Sequence, residues 1–171
     1  MKERDRISQF IQAFQRDEES LLEEIREEAQ KEAVPIIRDE TAALLRVCLE
    51  MKKPKSILEL GTAVGYSGLF MLHSLRGEAK LCTVEIFPER IRKAKENFRK
   101  SPFSSSIRLF EGDGGEILHE LVKREEIFDF IFLDAAKAQY PLWLPMILEI
   151  LSPEGILFCD NILQDGLLME S

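Results

Sequence analysis

Cysteine is scarce in this chain of 171 residues, and its three cysteines stand far apart. Cys48, Cys82 and Cys159 occur singly within apolar runs, without the Cys-x-x-Cys spacing of a zinc or redox motif. This pattern argues against a disulfide framework or a cysteine metal site. It is typical of reduced core cysteines, and we therefore expect a cytoplasmic protein.

Long apolar runs and a leader sequence are absent as well. No segment approaches the ~20 apolar residues that a membrane-spanning helix needs. Residues 1–6 are mostly charged, unlike the start of a signal peptide, so no signal peptide is expected. With 45% hydrophobic and 32% charged residues, we expect one compact domain over residues 1–171 and no membrane partner.

Positive charge is in deficit. The chain has 23 Lys and Arg against 31 Asp and Glu, a net charge of -8. This counts against a polyanionic partner such as nucleic acid, although a local basic patch can be hidden in the total. Histidine is rare too: His73 and His119 fall in predicted helices without partners at ligand spacing, so neither is expected to be catalytic.

The chain changes its pattern near Pro54. Residues 1–50 predict helices only: one at 7–14 by its apolar spacing, one after the capping box Ser20/Glu23, and one with Asp39 as N-cap. The part from 54 to 171 predicts strands at 56–60, 80–85, 107–110, 128–133 and 155–159, separated by helices at 66–75, 88–100, 115–124 and 140–151. Such alternation predicts an α/β fold with a mostly parallel sheet and helices on both faces.

Two details of the last unit are also predicted. Pro145 should kink the helix at 140–151 or delay its start, because proline cannot donate a helical hydrogen bond. Residues 152–155 should form a turn into the last strand.

The first predicted strand runs into a glycine loop. Its spacing, Glu59 to Gly61 to Gly65, differs from the dinucleotide fingerprint. Glycines let the backbone approach a ligand closely, and the acid suits a cationic ligand such as a sulfonium that bears an ammonium group. A plain strand-to-helix turn is the alternative.

Other predicted strands also end in acidic residues. Doubly wound sheets bind ligands at the carboxyl ends of their strands. Glu85 can accept two hydrogen bonds from a ribose diol. Asp113 either accepts from an adenine amino group or caps the next helix.

Strands four and five end in Asp134 and in Asp160-Asn161. If these strands are neighbours, their tips lie ~5 Å apart and the two carboxylates repel each other. Two carboxylates and an amide oxygen suit a hard divalent cation such as Mg²⁺; the alternative is that the acids cap separate loops. Lys137, beside a metal and partly desolvated, can have a lowered pKa and take a proton from an acceptor hydroxyl whose own pKa the metal lowers.

Together these residues resemble the metal-dependent class I methyltransferases, the family of catechol and caffeoyl-CoA O-methyltransferases. The likeness is carried by residues 34–37 with Glu40, LELGTAVGYS at 58–67, FLDAAK at 132–137 and CDNI at 159–162. It implies a Rossmann-like sheet, S-adenosylmethionine (SAM) as cofactor, and Mg²⁺, Mn²⁺ or Ca²⁺. Segments 6–11, 34–36, 134–140 and 151–155 are most similar to the bacterial tRNA 5-hydroxyuridine methyltransferases.

The resemblance also implies a role for each candidate residue. These roles are cofactor contacts by Val34 and Ile36, a hydrogen bond between Ser67 and the methionine end, hydrogen bonds that Glu85 accepts from the ribose, adenine-side contacts by Asp113 and Gly114, metal ligation by Asp134, Asp160 and Asn161, and proton transfer to Lys137.

The family continues beyond the position of Ser171, with a final hairpin and part of the acceptor pocket. We therefore expect the C-terminal strands to be missing, which leaves a sheet edge uncovered and favours instability, oligomer pairing or loss of activity. A homodimer is expected because dimers are common in the family. The first-choice acceptor is the wobble 5-hydroxyuridine of tRNA, which the local likeness favours. The alternative is a small catechol-like phenol, which the acidic charge favours slightly, and a third reading is a non-catalytic SAM-binding module.

Overall fold

The computed structural model describes residues 20–160 and 162. The helix predicted at 7–14 and the predicted metal ligand Asn161 lie outside the described residues. No helix in the described part combines the length and the hydropathy that crossing a membrane requires.

Within the described residues, two helices precede the sheet. Helix α1 covers Ser20–Lys31 and α2 covers Asp39–Lys52. Each buries an i, i+3, i+7 stripe, formed by Leu22, Ile25 and Ala29 in α1 and by Ala42, Leu45 and Leu49 in α2. The prediction of Asp39 as N-cap was wrong, because Arg38 occupies that position and the Asp39 carboxylate accepts a 2.7 Å hydrogen bond from Arg26.

Five parallel strands form one sheet in the order β3-β2-β1-β4-β5. They are β1 Ser56–Leu60, β2 Lys80–Glu85, β3 Ile107–Glu111, β4 Phe128–Leu133 and β5 Leu151–Cys159. The predicted parallel sheet is confirmed, and so is the neighbourhood of strands four and five. The order reverses between β1 and β4, which makes their tips the switch point where such sheets bind ligands.

Four further helices alternate with the strands: α3 Tyr66–Ser74, α4 Pro88–Lys100, α5 Gly114–Lys123 and α6 Tyr140–Ile150. Short 3₁₀ turns occur at Ser104–Ser106 and Lys137–Gln139. Pro145 does not delay α6, because the helix already runs from Tyr140 and contains this proline. Burial of Trp143, Ile147 and Ile150 against the sheet stabilises α6 despite the missing donor.

The predicted turn at 152–155 was also wrong. Strand β5 begins at Leu151, opposite Phe128, and its register then jumps so that Ile156 lies opposite Phe130. Two steps along β4 therefore correspond to five steps along β5, and residues 152–155 form an irregularity inside the strand. Pro153 and Gly155 explain why this stretch resembles a turn in sequence.

Helices cover both faces of the sheet, as predicted. On one face, side chains such as Ile57 and Phe130 pack with α1, α2, α3 and α4. On the other, Leu58 and Ile131 pack with α5 and α6. Alternate strand residues thus pack into two apolar layers, one on each face of the sheet. The polar residues of the candidate site lie at the strand tips.

Candidate active site at the carboxyl ends of the strands

A cavity of about 350 Å³ opens at the carboxyl ends of four strands. Its walls include Leu60 and Gly61 after β1, Val84 to Phe87 at β2, Gly112 to Gly114 after β3, and Ala135, Ala136, Gln139 and Trp143 beyond β4. This volume is in the range of small-molecule sites. A second cavity, of about 430 Å³ around Pro54 and Ser74, lies at the amino ends of the strands, away from the acids described above.

The glycine loop is held by close packing. Gly61 has φ +110°, and a β-carbon there would lie 2.0 Å from the carbonyl oxygen of Asp134. Gly65 has φ +85°, and its β-carbon would lie 2.5 Å from the Phe98 ring. Both positions therefore require glycine for protein packing, and Gly61 also lines the cavity.

Glu59 lies beneath this loop, fully buried. Its two carboxylate oxygens accept 2.5 Å hydrogen bonds from the hydroxyls of Ser67 and Thr83. The pKa of Glu59 is raised to about 7, and burial is the largest cause. The charges of Asp134 and Glu85 also raise this pKa, while the hydrogen bonds from the two hydroxyls lower it. Glu59 and Ser67 thus form a buried pair that joins β1 to the first turn of α3.

Glu85 is buried at the tip of β2 and lines the cavity. Its Oε2 accepts a 2.9 Å hydrogen bond from the N–H of Ala63, and its Oε1 accepts from the N–H groups of Ile86 and Phe87 at 2.9 and 3.0 Å. The carboxylate therefore joins the glycine loop to β2. Its contact with a ribose stays a prediction.

Asp113 caps helix α5, so this alternative is confirmed. Its Oδ1 accepts from the N–H groups of Gly115 at 2.8 Å and Glu116 at 3.1 Å. A β-carbon on Gly114 would lie 2.6 Å from the Trp143 ring, which forms an apolar wall of the cavity. Trp143 was not predicted as a site residue, since an aromatic in an apolar helix carries no sequence signal beyond core packing.

Val34 and Ile36 lie in the connection between α1 and α2. Both are half-buried and pack against the core on the α1–α4 face. Arg26 links this connection to α3, because it donates hydrogen bonds to Asp39 and to the hydroxyl of Tyr66, the first residue of α3. The arrangement keeps the segment near the glycine loop, while contact with a cofactor stays a prediction.

Asp134 and Asp160 stand at neighbouring strand tips. The N–H of Asp134 donates to Leu60 and that of Asp160 to Leu133, both at 3.0 Å. Burial raises the pKa of Asp134, the charge of Lys137 opposes this rise, and the charge of Asp160 adds to it. Since Asp160 acts electrostatically on Asp134, the alternative that the two acids cap unrelated loops is not supported.

These acids offer hard oxygen donors for a metal. Residues 20–160 and 162 contain no cluster of three or more His, Cys, Asp or Glu side chains that could hold an ion. The predicted set has two carboxylates, and its third ligand, Asn161, lies outside the described residues. Two mutually repelling carboxylates fit a divalent cation, and Thr41 donates a 3.2 Å hydrogen bond to Oδ1 of Asp160. The metal stays a prediction.

Lys137 lies beside Asp134. Its Nζ donates to Asp134 Oδ1 at 3.2 Å and to the Tyr140 hydroxyl oxygen at 2.8 Å. Burial lowers the pKa of Lys137, but the bond to Tyr140 and the charge of Asp134 outweigh it and raise the pKa overall. The predicted lowering concerns a lysine beside a bound metal ion and stays a prediction; without such an ion, desolvation is offset by these two partners.

Comparison with known proteins agrees with this geometry. The family model of the O-methyltransferases matches residues 12–171. A catechol O-methyltransferase of Niastella koreensis is 31% identical over 127 residues, which are 74% of this chain and 58% of that protein. The chain spans between 52% and 63% of the length of the first curated relatives that it matches.

Solved structures share the fold. The SAH-bound methyltransferase PaMTH1 of Podospora anserina is 29% identical with a TM-score of 0.86, over 99% of this chain and 74% of that one. An SAH complex of a Bacillus cereus O-methyltransferase superposes with a TM-score of 0.86 at 23% identity, over 96% and 76% of the two chains. With the switch-point cavity, the acidic strand tips and a family match over nearly the whole sequence, this chain belongs to the O-methyltransferase family.

Proposed function

We propose that this chain transfers the methyl group of SAM to an oxygen of an acceptor, with a divalent cation bound by Asp134, Asp160 and Asn161. The observation that carries the proposal is that Asp134 and Asp160 follow the ends of neighbouring strands, with Lys137 bonded to Asp134, directly before the cavity-lining residues Ala135 and Ala136. Family membership supports the same chemistry.

The cavity suits an adenosine-bearing donor. Trp143 supplies an apolar surface for a planar base, and Glu85, in the same cavity, supplies carboxylate oxygens that can accept from a ribose diol. Gly61 offers a close backbone approach at the end nearest Asp134. Asp113 and Gly114 would contact the adenine side, and Val34, Ile36, Ser67 and Glu59 the methionine side.

The reaction is a single displacement. A cation held by Asp134, Asp160 and Asn161 would lower the pKa of an acceptor hydroxyl. The acceptor oxygen forms a bond to the methyl carbon while the carbon–sulfur bond breaks, and sulfur keeps the electron pair and leaves as a neutral thioether. Lys137 is proposed to take the hydroxyl proton; this requires weakening of its contact with Asp134, which favours the charged amine.

A small catechol-like phenol is the favoured acceptor. Helix α4 has six basic residues, and four of them are paired with carboxylates, in the pairs Arg92–Glu96, Lys93–Glu28, Lys95–Glu111 and Lys100–Glu24. Paired charges offer little to a phosphate backbone, and the net charge is -8. The match to a catechol O-methyltransferase points the same way. The wobble 5-hydroxyuridine of tRNA, which the sequence favoured first, becomes the second candidate, supported by the likeness in segments such as 134–140.

Transfer of a labelled methyl group tests the proposal. Catechol and hydroxyuridine-containing tRNA are offered separately, each with Mg²⁺ or with EDTA. We expect Mg²⁺-dependent labelling of catechol that Asp134→Asn abolishes and that Glu78→Gln, an exposed carboxylate at the other end of the sheet, leaves unchanged. Labelling of tRNA alone would reassign the acceptor. SAM binding by calorimetry without labelling of either acceptor would contradict the proposal and favour a non-catalytic SAM-binding module.

A further inference from the structure

We propose that Tyr140 is a positioning residue for methyl transfer, which holds Lys137 and the backbone around Asp134 through one phenolic oxygen. The inference rests on the proposed function for its catalytic consequence. Its structural part can be tested without any acceptor.

The phenolic oxygen makes three hydrogen bonds. It accepts from Lys137 Nζ at 2.8 Å and from the N–H of Ala135 at 3.2 Å, and it donates to the carbonyl oxygen of Leu133 at 3.0 Å. One donated and two accepted bonds use the full capacity of a tyrosine hydroxyl. Because Leu133 and Ala135 flank Asp134, a single side chain fixes both sides of that residue.

The direction of these bonds matters for Lys137. The only phenolic proton is directed to Leu133, so the lone pairs of the oxygen face Ala135 and the lysine amine. Lys137 also lies 5.0 Å from the centre of the Tyr140 ring. Its side chain is 23% exposed, and hydrogen bonds to a charged donor are stronger in such partly buried surroundings. The amine is thereby held beside Asp134.

Asp134 is fixed from the opposite direction by β1. Its N–H donates to Leu60, and its carbonyl oxygen lies against Gly61. Asp134 is joined to α6 by residues 135–139, which include the 3₁₀ turn Lys137–Gln139. Tyr140, the first residue of α6, contacts the Lys137 amine from the helix side. A displacement of the amine by ~1 Å at a reacting centre is sufficient to slow a reaction about 100-fold.

Tyr140→Phe removes this oxygen and keeps the ring. We expect amide hydrogen exchange at Ala135 to become at least tenfold faster, while the amides of Asp134 and Asp160, which bond to other carbonyls, change little. Acetylation of Lys137 by acetic anhydride, measured by mass spectrometry relative to Lys55, should become severalfold faster. The kcat for methylation of catechol should fall about 10- to 100-fold with the KM for SAM within twofold of wild type.

Ser74→Ala is the matched control, because it also removes one hydroxyl hydrogen bond, to Phe70 at 2.8 Å, at the far end of the sheet. It should leave all three readings unchanged. Unchanged exchange at Ala135 and unchanged acetylation of Lys137 in Tyr140→Phe would overturn the proposal, as would an unchanged kcat. If wild type labels no acceptor, the proposed function fails, and the exchange and acetylation rates alone decide whether Tyr140 holds Lys137.

Discussion

The carbonyl oxygen of Asp134 lies 2.0 Å from the point where Gly61 would carry a β-carbon. The tip of β4 thus rests directly on the tip of β1, at the point where the strand order reverses. The donor side of the cavity, built on the glycine loop, and the acidic side, built on Asp134 and Asp160, therefore share one rigid contact. A change at Gly61 is expected to disturb both.

Gly61→Ala should reduce stability and SAM binding together. The variant combines a collision with a backbone oxygen and a φ of +110° that alanine rarely adopts. We expect the free energy of unfolding to fall by about 3 kcal/mol or more, measured by urea denaturation. Gly112→Ala is the control, since φ there is +159° but the nearest atom to its β-carbon is 4.0 Å away; equal losses in the two variants would contradict the role of the Asp134 contact.

Glu59 should make stability depend on pH. Burial raises its native pKa to about 7 from an ordinary 4.5, so the native state binds a proton that the unfolded state releases between these values. Its stabilising contribution is complete below pH 4.5 and is lost as pH rises to about 7, a change of about 3 kcal/mol.

Glu59→Gln tests this pH dependence. Urea denaturation at pH 5, 6, 7 and 8 should show the decline in wild type and a flatter profile in the variant. Glu78→Gln, an exposed carboxylate bonded to Lys55 at 3.0 Å, should keep the wild-type decline. A Glu59→Gln profile parallel to wild type would show that Glu59 is ionised throughout this range.

Lys137→Met should separate catalysis from donor binding. The variant removes the proposed proton acceptor but leaves the cavity walls intact, so methyl transfer should fall by about 100-fold or more while SAH affinity, measured by calorimetry, stays within twofold. Lys55→Met removes an exposed amine at the other end of the sheet and should retain full activity. Normal turnover in Lys137→Met would remove this lysine from the mechanism.

Thr41 should support the metal through Asp160. Its hydroxyl donates to Asp160 Oδ1 at 3.2 Å, and hydrogen bonds to ligating carboxylates commonly contribute tenfold or more to metal affinity. We expect Thr41→Val to weaken Mn²⁺ binding by about tenfold, measured by electron paramagnetic resonance, and Thr41→Ser to retain it. Equal affinities for valine and serine would show that the hydroxyl does not orient the carboxylate.

Strand positions followed closely from the sequence, because buried parallel strands are continuous apolar runs bounded by polar residues. The runs at 56–60, 80–85 and 128–133 match β1, β2 and β4. The start of β5 was missed because Pro153 and Gly155 are turn residues in sequence but form an irregularity paired with β4. Asp39 was assigned as a cap because its bond to Arg26, thirteen residues earlier, leaves no local signal.

The candidate site followed from the sequence only in part. Acids at strand ends indicated Glu85, Asp113, Asp134 and Asp160, since parallel strands bring their carboxyl ends to one edge. Tyr140 was missed as a site residue, although it lies three positions after Lys137, the spacing at which helical side chains meet. The raised pKa of Lys137 in the metal-free protein could not be read from the sequence, because it depends on which partners surround the amine after folding.

The sequence alone determined the α/β class, the strand-tip acids and the family, because hydrophobic periodicity and motif spacing are local properties of the chain. The tertiary structure decided how the strand tips meet. Gly61 packs against Asp134, Glu59 lies beneath the glycine loop, and the phenolic oxygen of Tyr140 bonds to residues within 133–137. Hydrogen bonds and pKa shifts depend on distances between residues remote in the chain and on their burial. Both are set only when the two apolar layers pack on the sheet.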